Sequence, residues 1–133
     1  MNISVAQFAK KISMRLNRVG IDTANLDARL IISDSIGVEI RDLVMHEECH
    51  VDEQQRIEIE KKVEERIQRK PIDQILGRRG FWSLDFKVTE NTMSPRPDSE
   101  TLIEAIIKTR PDRRSVRTIL DLGTGTGCLL LSL

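Results

Sequence analysis

The reading turns on one stretch near the end of the chain: Val116-Arg117-Thr118-Ile119-Leu120-Asp121-Leu122, then Gly123-Thr124-Gly125-Thr126-Gly127, then Cys128-Leu129-Leu130-Leu131. A short β-branched run, glycine at alternate positions and a following apolar run predict a strand over 116–122, a tight loop and the opening of a helix. That order makes a ligand site in an α/β fold. Glycine lets the backbone approach a ligand where a Cβ would collide, and a starting helix aims free N–H groups into the same space. The sequence stops six residues after the last glycine. A parallel strand needs covered faces and neighbours, so Leu129, Leu130, Leu131 and Leu133 are expected to lack cover here.

The spacing of the loop sorts its ligands. A phosphate loop of the G-K-[ST] kind needs a lysine after the last glycine, and Cys128 follows Gly127 instead. The dinucleotide fingerprint G-x-G-x-x-G/A needs glycine or alanine at position 128, which the same cysteine denies. What remains is D-x-G-x-G-x-G, spelled by Asp121, Gly123, Gly125 and Gly127. This pattern resembles the S-adenosylmethionine loop of class I methyltransferases. An acidic side chain beside helix amides suits a ligand whose amino-acid end carries both charges, with no pyrophosphate to neutralise. A glycine-rich turn without any ligand is the alternative.

Composition narrows the function classes. Basic and acidic side chains balance at 21 each, so no global field draws the protein to nucleic acid or a membrane. No run approaches the roughly 20 apolar residues that span a bilayer, and the N-terminus lacks a signal-peptide layout, which makes the cytoplasm the expected compartment. Cys49 and Cys128 lie far apart without CxxC spacing and are expected to be reduced thiols.

Upstream, the first half reads as helices. Ser4 with Gln7 forms a capping box before Val5, Phe8, Ile12, Leu16 and Val19, and Gly20 ends that helix. Thr23 is expected to cap a second helix with Leu26, Leu30 and Ile31 on its apolar side and Gly37 at its end. Ile40, Leu43 and Val44 predict a short third helix. Asp52 with Gln55 opens the longest one, carrying Ile59, Val63 and Ile67 and ended by Pro71. Glu58 with Lys62 and Glu65 with Arg69 are expected as i,i+4 pairs on its solvated face. The result is a small helical bundle, suited to binding rather than chemistry.

His46-Glu47-Glu48-Cys49-His50 matches the H-E-x-x-H of zinc peptidases. That chemistry needs both histidines on one helical face, and the capping box at Asp52 places His50 just ahead of a new helix instead. The expectation is a polar inter-helix loop and no metal.

After Pro71, Ile72 to Gly77 predicts one or two helical turns closed by glycine. Phe81, Trp82 and Phe86 then fall within a strand or hairpin over 81–89. These aromatics are expected to seal a joint between two domains, with a substrate-facing role as the alternative. Met93-Ser94-Pro95-Arg96-Pro97-Asp98-Ser99-Glu100 follows, its prolines holding Arg96 in an extended segment. Asp98 or Ser99 is expected to cap a helix carrying Leu102, Ile103, Ile106 and Ile107. Arg110, Arg113, Arg114 and Arg117 around Pro111 read as a solvated turn, since no aromatics interleave them for base stacking.

Phe81-Trp82-Ser83-Leu84, Pro95-Arg96-Pro97-Asp98-Ser99-Glu100 and Leu120-Asp121-Leu122-Gly123-Thr124-Gly125-Thr126-Gly127 occur in this order. Together they resemble the HemK/PrmC family, the release factor glutamine methyltransferases, over the whole chain. Ser94 and Ser99 are small departures from its pattern. The resemblance implies an α/β, Rossmann-like class I methyltransferase parent preceded by an all-α bundle. Within it this chain is mostly α, with a short hairpin and the first strand of the sheet. It implies a substrate-recognition domain over 1–72, a connector with a hairpin over 73–95 and the start of the catalytic domain over 96–133.

The implied reaction moves a methyl group from S-adenosylmethionine to the side-chain amide nitrogen of the glutamine in the Gly-Gly-Gln motif of peptide-chain release factors. The implied cofactor contacts are Asp121, Gly123, Thr124, Gly125, Thr126 and Gly127, with Arg96 and Pro97 beside them. The family's Asn-Pro-Pro-Tyr loop does not occur in these 133 residues, so no catalytic residue is expected here. The acidic residue that takes the ribose hydroxyls after the second strand is absent too. The fragment is therefore expected to be inactive while its parent is the enzyme. The release factor is the implied partner, with nucleic acid met only through that factor on the ribosome. An adenine-N6 nucleic-acid methyltransferase and a non-enzymatic release-factor-binding module are the rival readings.

Overall fold

The computed structural model describes residues 3–110, 112, 114 and 118–133. The chain divides into two compact units, Met1–Leu76 and Gly77–Leu133. It is mostly helical, with a single two-stranded antiparallel hairpin among the described residues.

The first unit opens with α1, Val5–Arg18. Its capping box forms: the Ser4 hydroxyl accepts from the Gln7 N–H, and the Gln7 side chain accepts from the Ser4 N–H. The N–H groups of Val5 and Ala6 would otherwise be orphaned at the helix start. They donate to the carbonyls of Cys49 (2.9 Å) and Glu47 (3.1 Å). Val5, Phe8, Ile12 and Leu16 are buried along one face as the spacing predicts, while Val19 ends the helix half out of the core. Gly20 turns the chain at φ +71°.

Helix α2, Ala24–Ile36, buries Ala24, Ala28, Ile31 and Ile32. Two expectations fail here. Leu26 is 52% exposed because it lies two positions, about 200° around the helix, from Ala24. Thr23 occupies the cap position without capping; its hydroxyl donates to Asp27 Oδ2 at 2.9 Å instead. Gly37 closes the helix in the left-handed region at φ +74° as predicted. The third element is a 3₁₀ helix, Ile40–His46, whose three-residue period turns Leu43 inward and leaves Val44 exposed.

Helix α3, Glu53–Ile67, starts from the predicted Asp52–Gln55 capping box and buries Ile59 and Val63, with Ile67 packed against the same core. It ends before Pro71, because Arg69 already takes φ +69°. The Glu58–Lys62 pair forms. The Glu65–Arg69 pair does not, since Arg69 lies past the last turn where i,i+4 spacing no longer holds. Glu65 meets Lys70, and the Arg69 guanidinium donates to the carbonyls of Val19 (2.6 Å) and Gly20 (3.1 Å), satisfying the end of α1. Nor is the charge run wholly solvated. Lys62 is only 14% exposed and reaches Asp34 of α2 at 2.7 Å. A short α4, Ile72–Leu76, is closed by Gly77 at φ +73°.

The second unit holds β1, Arg78–Phe81, paired with β2, Leu84–Lys87, with Phe81 opposite Leu84 and Arg78 opposite Lys87. Trp82 and Ser83 form the two-residue turn, both at positive φ (+48° and +64°), as the right-handed strand twist demands of such turns. Phe81 and Phe86 meet edge to face, ring centroids 6.3 Å apart, and bury with Ile103 of α5, Glu100–Thr109. Leu102 of the predicted apolar line is half exposed, leaving Ile103 as its buried member. The predicted cap at Asp98 or Ser99 is absent. A 3₁₀ turn over Pro97–Ser99 runs straight into α5, and Ser99 already has helical angles, not the extended ones of a capping residue.

The strand predicted over 116–122 is not formed by its described part. Val116 and Arg117 lie outside the described residues, and 118–122 has no ladder partner among them. A strand's N–H and C=O groups need a second strand to pair with, and β-branched residues alone supply none. The apolar residues after the loop are partly covered, against expectation. Leu129 and Leu133 of or beside α6, Cys128–Ser132, pack on the Phe81–Phe86–Ile103 cluster, whereas Leu131 is 65% exposed.

Candidate functional site

The glycine loop forms a succession of tight turns even without its strand. Gly123, Gly125 and Gly127 sit at φ +75°, +56° and +79°, a region that a side chain makes costly. The Gly127 N–H donates to the Thr124 carbonyl at 2.8 Å, and Leu131 then donates to Gly127 at 2.9 Å as α6 begins. A Cβ at Gly123 would meet nothing within 4 Å, so space lies open beside the backbone there.

Asp121, Gly123, Thr124, Gly125 and Thr126 line one depression of about 160 Å³, and Arg96 lines it with them. Five of the six loop residues singled out in the sequence thus come together with Arg96. Gly127 and Pro97 stand next to lining residues without reaching the hollow themselves. Met93, Ser94, Pro95, Ser99, Cys128 and Leu129 complete the wall, though the sequence patterns do not mark them as site residues. The signal for the first three was their place in the proline-stiffened segment that leads into Arg96.

Asp121 Oδ2 and Thr126 Oγ1 are buried and have no hydrogen-bond partner among the described residues. An orphaned carboxylate oxygen is costly unless a donor arrives, so this wall suits a ligand that brings one, such as an ammonium group. Arg96 supplies the opposite charge for a carboxylate. The donor set therefore fits the amino-acid end of S-adenosylmethionine. Small-molecule pockets commonly enclose about 300 Å³ or more, so this hollow makes part of such a pocket rather than the whole.

The other candidates have different uses. His46 ends the 3₁₀ helix with Nδ1 3.0 Å from the Asp42 carbonyl, and His50 bridges Ser4 in extended backbone, so the two do not share a helical face. Among the described residues no cluster of three His, Cys, Asp or Glu side chains could hold a metal. The Glu47–Cys49 stretch instead lends its carbonyls to the start of α1. Arg110 and Arg114 are exposed; Pro111, Arg113 and Arg117 lie outside the described residues. No helix among the described residues is long and apolar enough to cross a membrane.

Comparison with known proteins decides the family. The family model described as the PrmC N-terminal domain matches residues 7–77. The chain belongs to the PrmC family. A release factor glutamine methyltransferase of Agrobacterium fabrum is 38% identical over 122 residues, covering 90% of this chain and 42% of that protein. A release factor glutamine methyltransferase of Coxiella burnetii is 36% identical over 131 residues, covering 98% of this chain and 47% of its own length. A protein named bifunctional methyltransferase, from Rickettsia felis, is 30% identical and covered over 30% of its length. This chain thus spans less than half the length of these curated relatives. The PrmC match falls on the helical unit and α4, while the glycine loop lies beyond it.

Proposed function

We propose that a protein of the relatives' length carrying these residues transfers a methyl group from S-adenosylmethionine to the side-chain amide nitrogen of the glutamine in the Gly-Gly-Gln motif of peptide-chain release factors. The observation that carries this reading is the buried, unpartnered Oδ2 of Asp121 beside a glycine loop, in a chain of the PrmC family. The cofactor supplies a methyl group already activated on a positively charged sulfur. Asp121 would hold its ammonium group and Arg96 its carboxylate, while Gly123 and Gly125 leave room for backbone contact. Fixing the amino-acid end in this way orients the methyl group, and holding reactants in line can supply several kcal/mol of a barrier.

An amide nitrogen shares its lone pair with its carbonyl, so the acceptor also has to be positioned by oxygens that hold its N–H groups. The family's Asn-Pro-Pro-Tyr loop would do so, and this chain does not contain it. In this reading residues 1–72 recognise the substrate protein in the cytoplasm, and the glycine loop begins a Rossmann-like catalytic domain. The 133-residue chain alone is inactive and binds the cofactor weakly.

Incubating the full-length protein with labelled S-adenosylmethionine and either a release factor or nucleic acid tests the reading. Label is expected on the Gly-Gly-Gln glutamine only. Label on adenine, or none on the release factor, contradicts it, and label transferred by the 133-residue chain contradicts the claim that it is inactive.

A further inference from the structure

A second hollow, of about 330 Å³, opens within the helical unit between α1, α2 and the 3₁₀ helix Ile40–His46. Val5, Ala9, Leu43 and the half-exposed Met14 give it an apolar floor and side. Ala6 and Ala9 keep the α1 wall low, so another backbone can come close. Lys10 and Arg29 stand on its walls.

Arg29 is unusual in this unit. Its half-buried basic side chains are Arg15, Arg29, Lys62, Arg66 and Lys70. Four of these have carboxylate partners: Arg15 has Glu60 and Glu64, Lys62 has Asp34 and Glu58, Arg66 has Asp27, and Lys70 has Glu65. Among the described residues Arg29 has no ion pair or hydrogen bond. A half-buried arginine without a protein partner gains from a charge-assisted one brought from outside. Ser13 and Asn25 add hydrogen-bonding groups beside it, and Glu47 at another edge disfavours a uniformly negative occupant such as a phosphate backbone. No aromatic side chain lines the hollow for base stacking.

We propose that this groove docks a short acidic and aliphatic segment of a protein partner, with a carboxylate on Arg29 and Lys10 and an aliphatic side chain on the Leu43–Met14 floor. This deepens the recognition role proposed above and rests on it only in taking the occupant to be protein. It does not depend on methyl transfer. The glycine loop could fail as a cofactor site and leave the groove intact.

Selection of random dodecapeptides displayed on phage against the immobilised full chain tests it, followed by fluorescence anisotropy with the enriched peptides. Peptides pairing Asp or Glu with Leu, Ile or Met are expected. Arg29→Gln should weaken their binding about tenfold or more, Lys10→Gln should weaken it less, and added salt should weaken it further. Arg29→Gln removes no partner, so an unchanged urea midpoint is expected; should that variant unfold, the exposed Lys10→Gln carries the test. No enriched peptide, enrichment without acidic residues, equal affinity for both variants, or Arg29-dependent binding of single-stranded RNA in preference to peptide would overturn the proposal.

Discussion

Asp27 is the one charged side chain fully buried among the described residues, and its environment shows how the bundle tolerates it. Its Oδ2 accepts from Arg66 Nε of α3 at 2.7 Å and from the Thr23 hydroxyl at 2.9 Å. Arg66 in turn donates to the Lys70 carbonyl at 3.2 Å, so one cluster ties α2, α3 and the chain beyond α3. Removing one member of a buried pair leaves the other uncompensated. Asp27→Ala is therefore expected to destabilise the helical unit by about 3–5 kcal/mol in urea titration. A loss within experimental scatter would show that the pair contributes nothing. Lys62 gives a pH signature. Burial pulls its ammonium pKa down, but hydrogen bonds and attraction from Asp34 and Glu58 outweigh this and hold it above the ordinary lysine value. A raised folded pKa stabilises fully below the unfolded value, about 10.4, and that stabilisation fades as pH rises through the higher folded value. Wild type is expected to lose stability over that alkaline window relative to Lys62→Met, and parallel pH curves would contradict the linkage.

At the scale of elements, what sequence spells within four residues is what it spells best. Both capping boxes, Ser4 with Gln7 and Asp52 with Gln55, form as read, because donor and acceptor are set by the local backbone alone. Asp52→Ala is expected to cost about 1 kcal/mol, measurable by thermal unfolding. Several misreadings depend on something farther away, although the missing caps at Thr23 and Ser99 have local causes. Leu26 looks like a core residue until the packing of Ala24, Ala28 and Ile31 fixes which side of α2 faces inward. Arg69 looks like the partner of Glu65 until the end of α1 claims it. Trp82 and Ser83 carry no turn glycine, yet they adopt the left-handed pair, and the Trp82 N–H is taken by Glu100 Oε1 at 3.0 Å. Such a turn tolerates a small polar residue better than a β-branched one. Ser83→Val should cost the second unit about 1–2 kcal/mol, read as a lower urea midpoint, and no change would mean that the turn relaxes freely.

At the scale of the whole molecule, the glycine loop was legible as a motif and its conformation was not fully so. D-x-G-x-G-x-G is a local code for turns at positive φ, and the three glycines adopt them without the strand meant to lead in. The strand is a non-local object, and no residue between 118 and 122 can make one without a neighbour. That Arg96 shares a hollow with Asp121 is implied only by resemblance, since 24 intervening residues hide their proximity from any periodicity. The central claim is that Asp121 and its glycines begin the S-adenosylmethionine site of a PrmC-family methyltransferase. Calorimetric titration of S-adenosylmethionine into the full-length protein and its Asp121→Ala variant tests it most directly. The account predicts binding by the wild type that the variant loses by about tenfold or more, as expected for one charge-assisted hydrogen bond. Equal affinity in the two proteins, or no binding by the wild type, would contradict it.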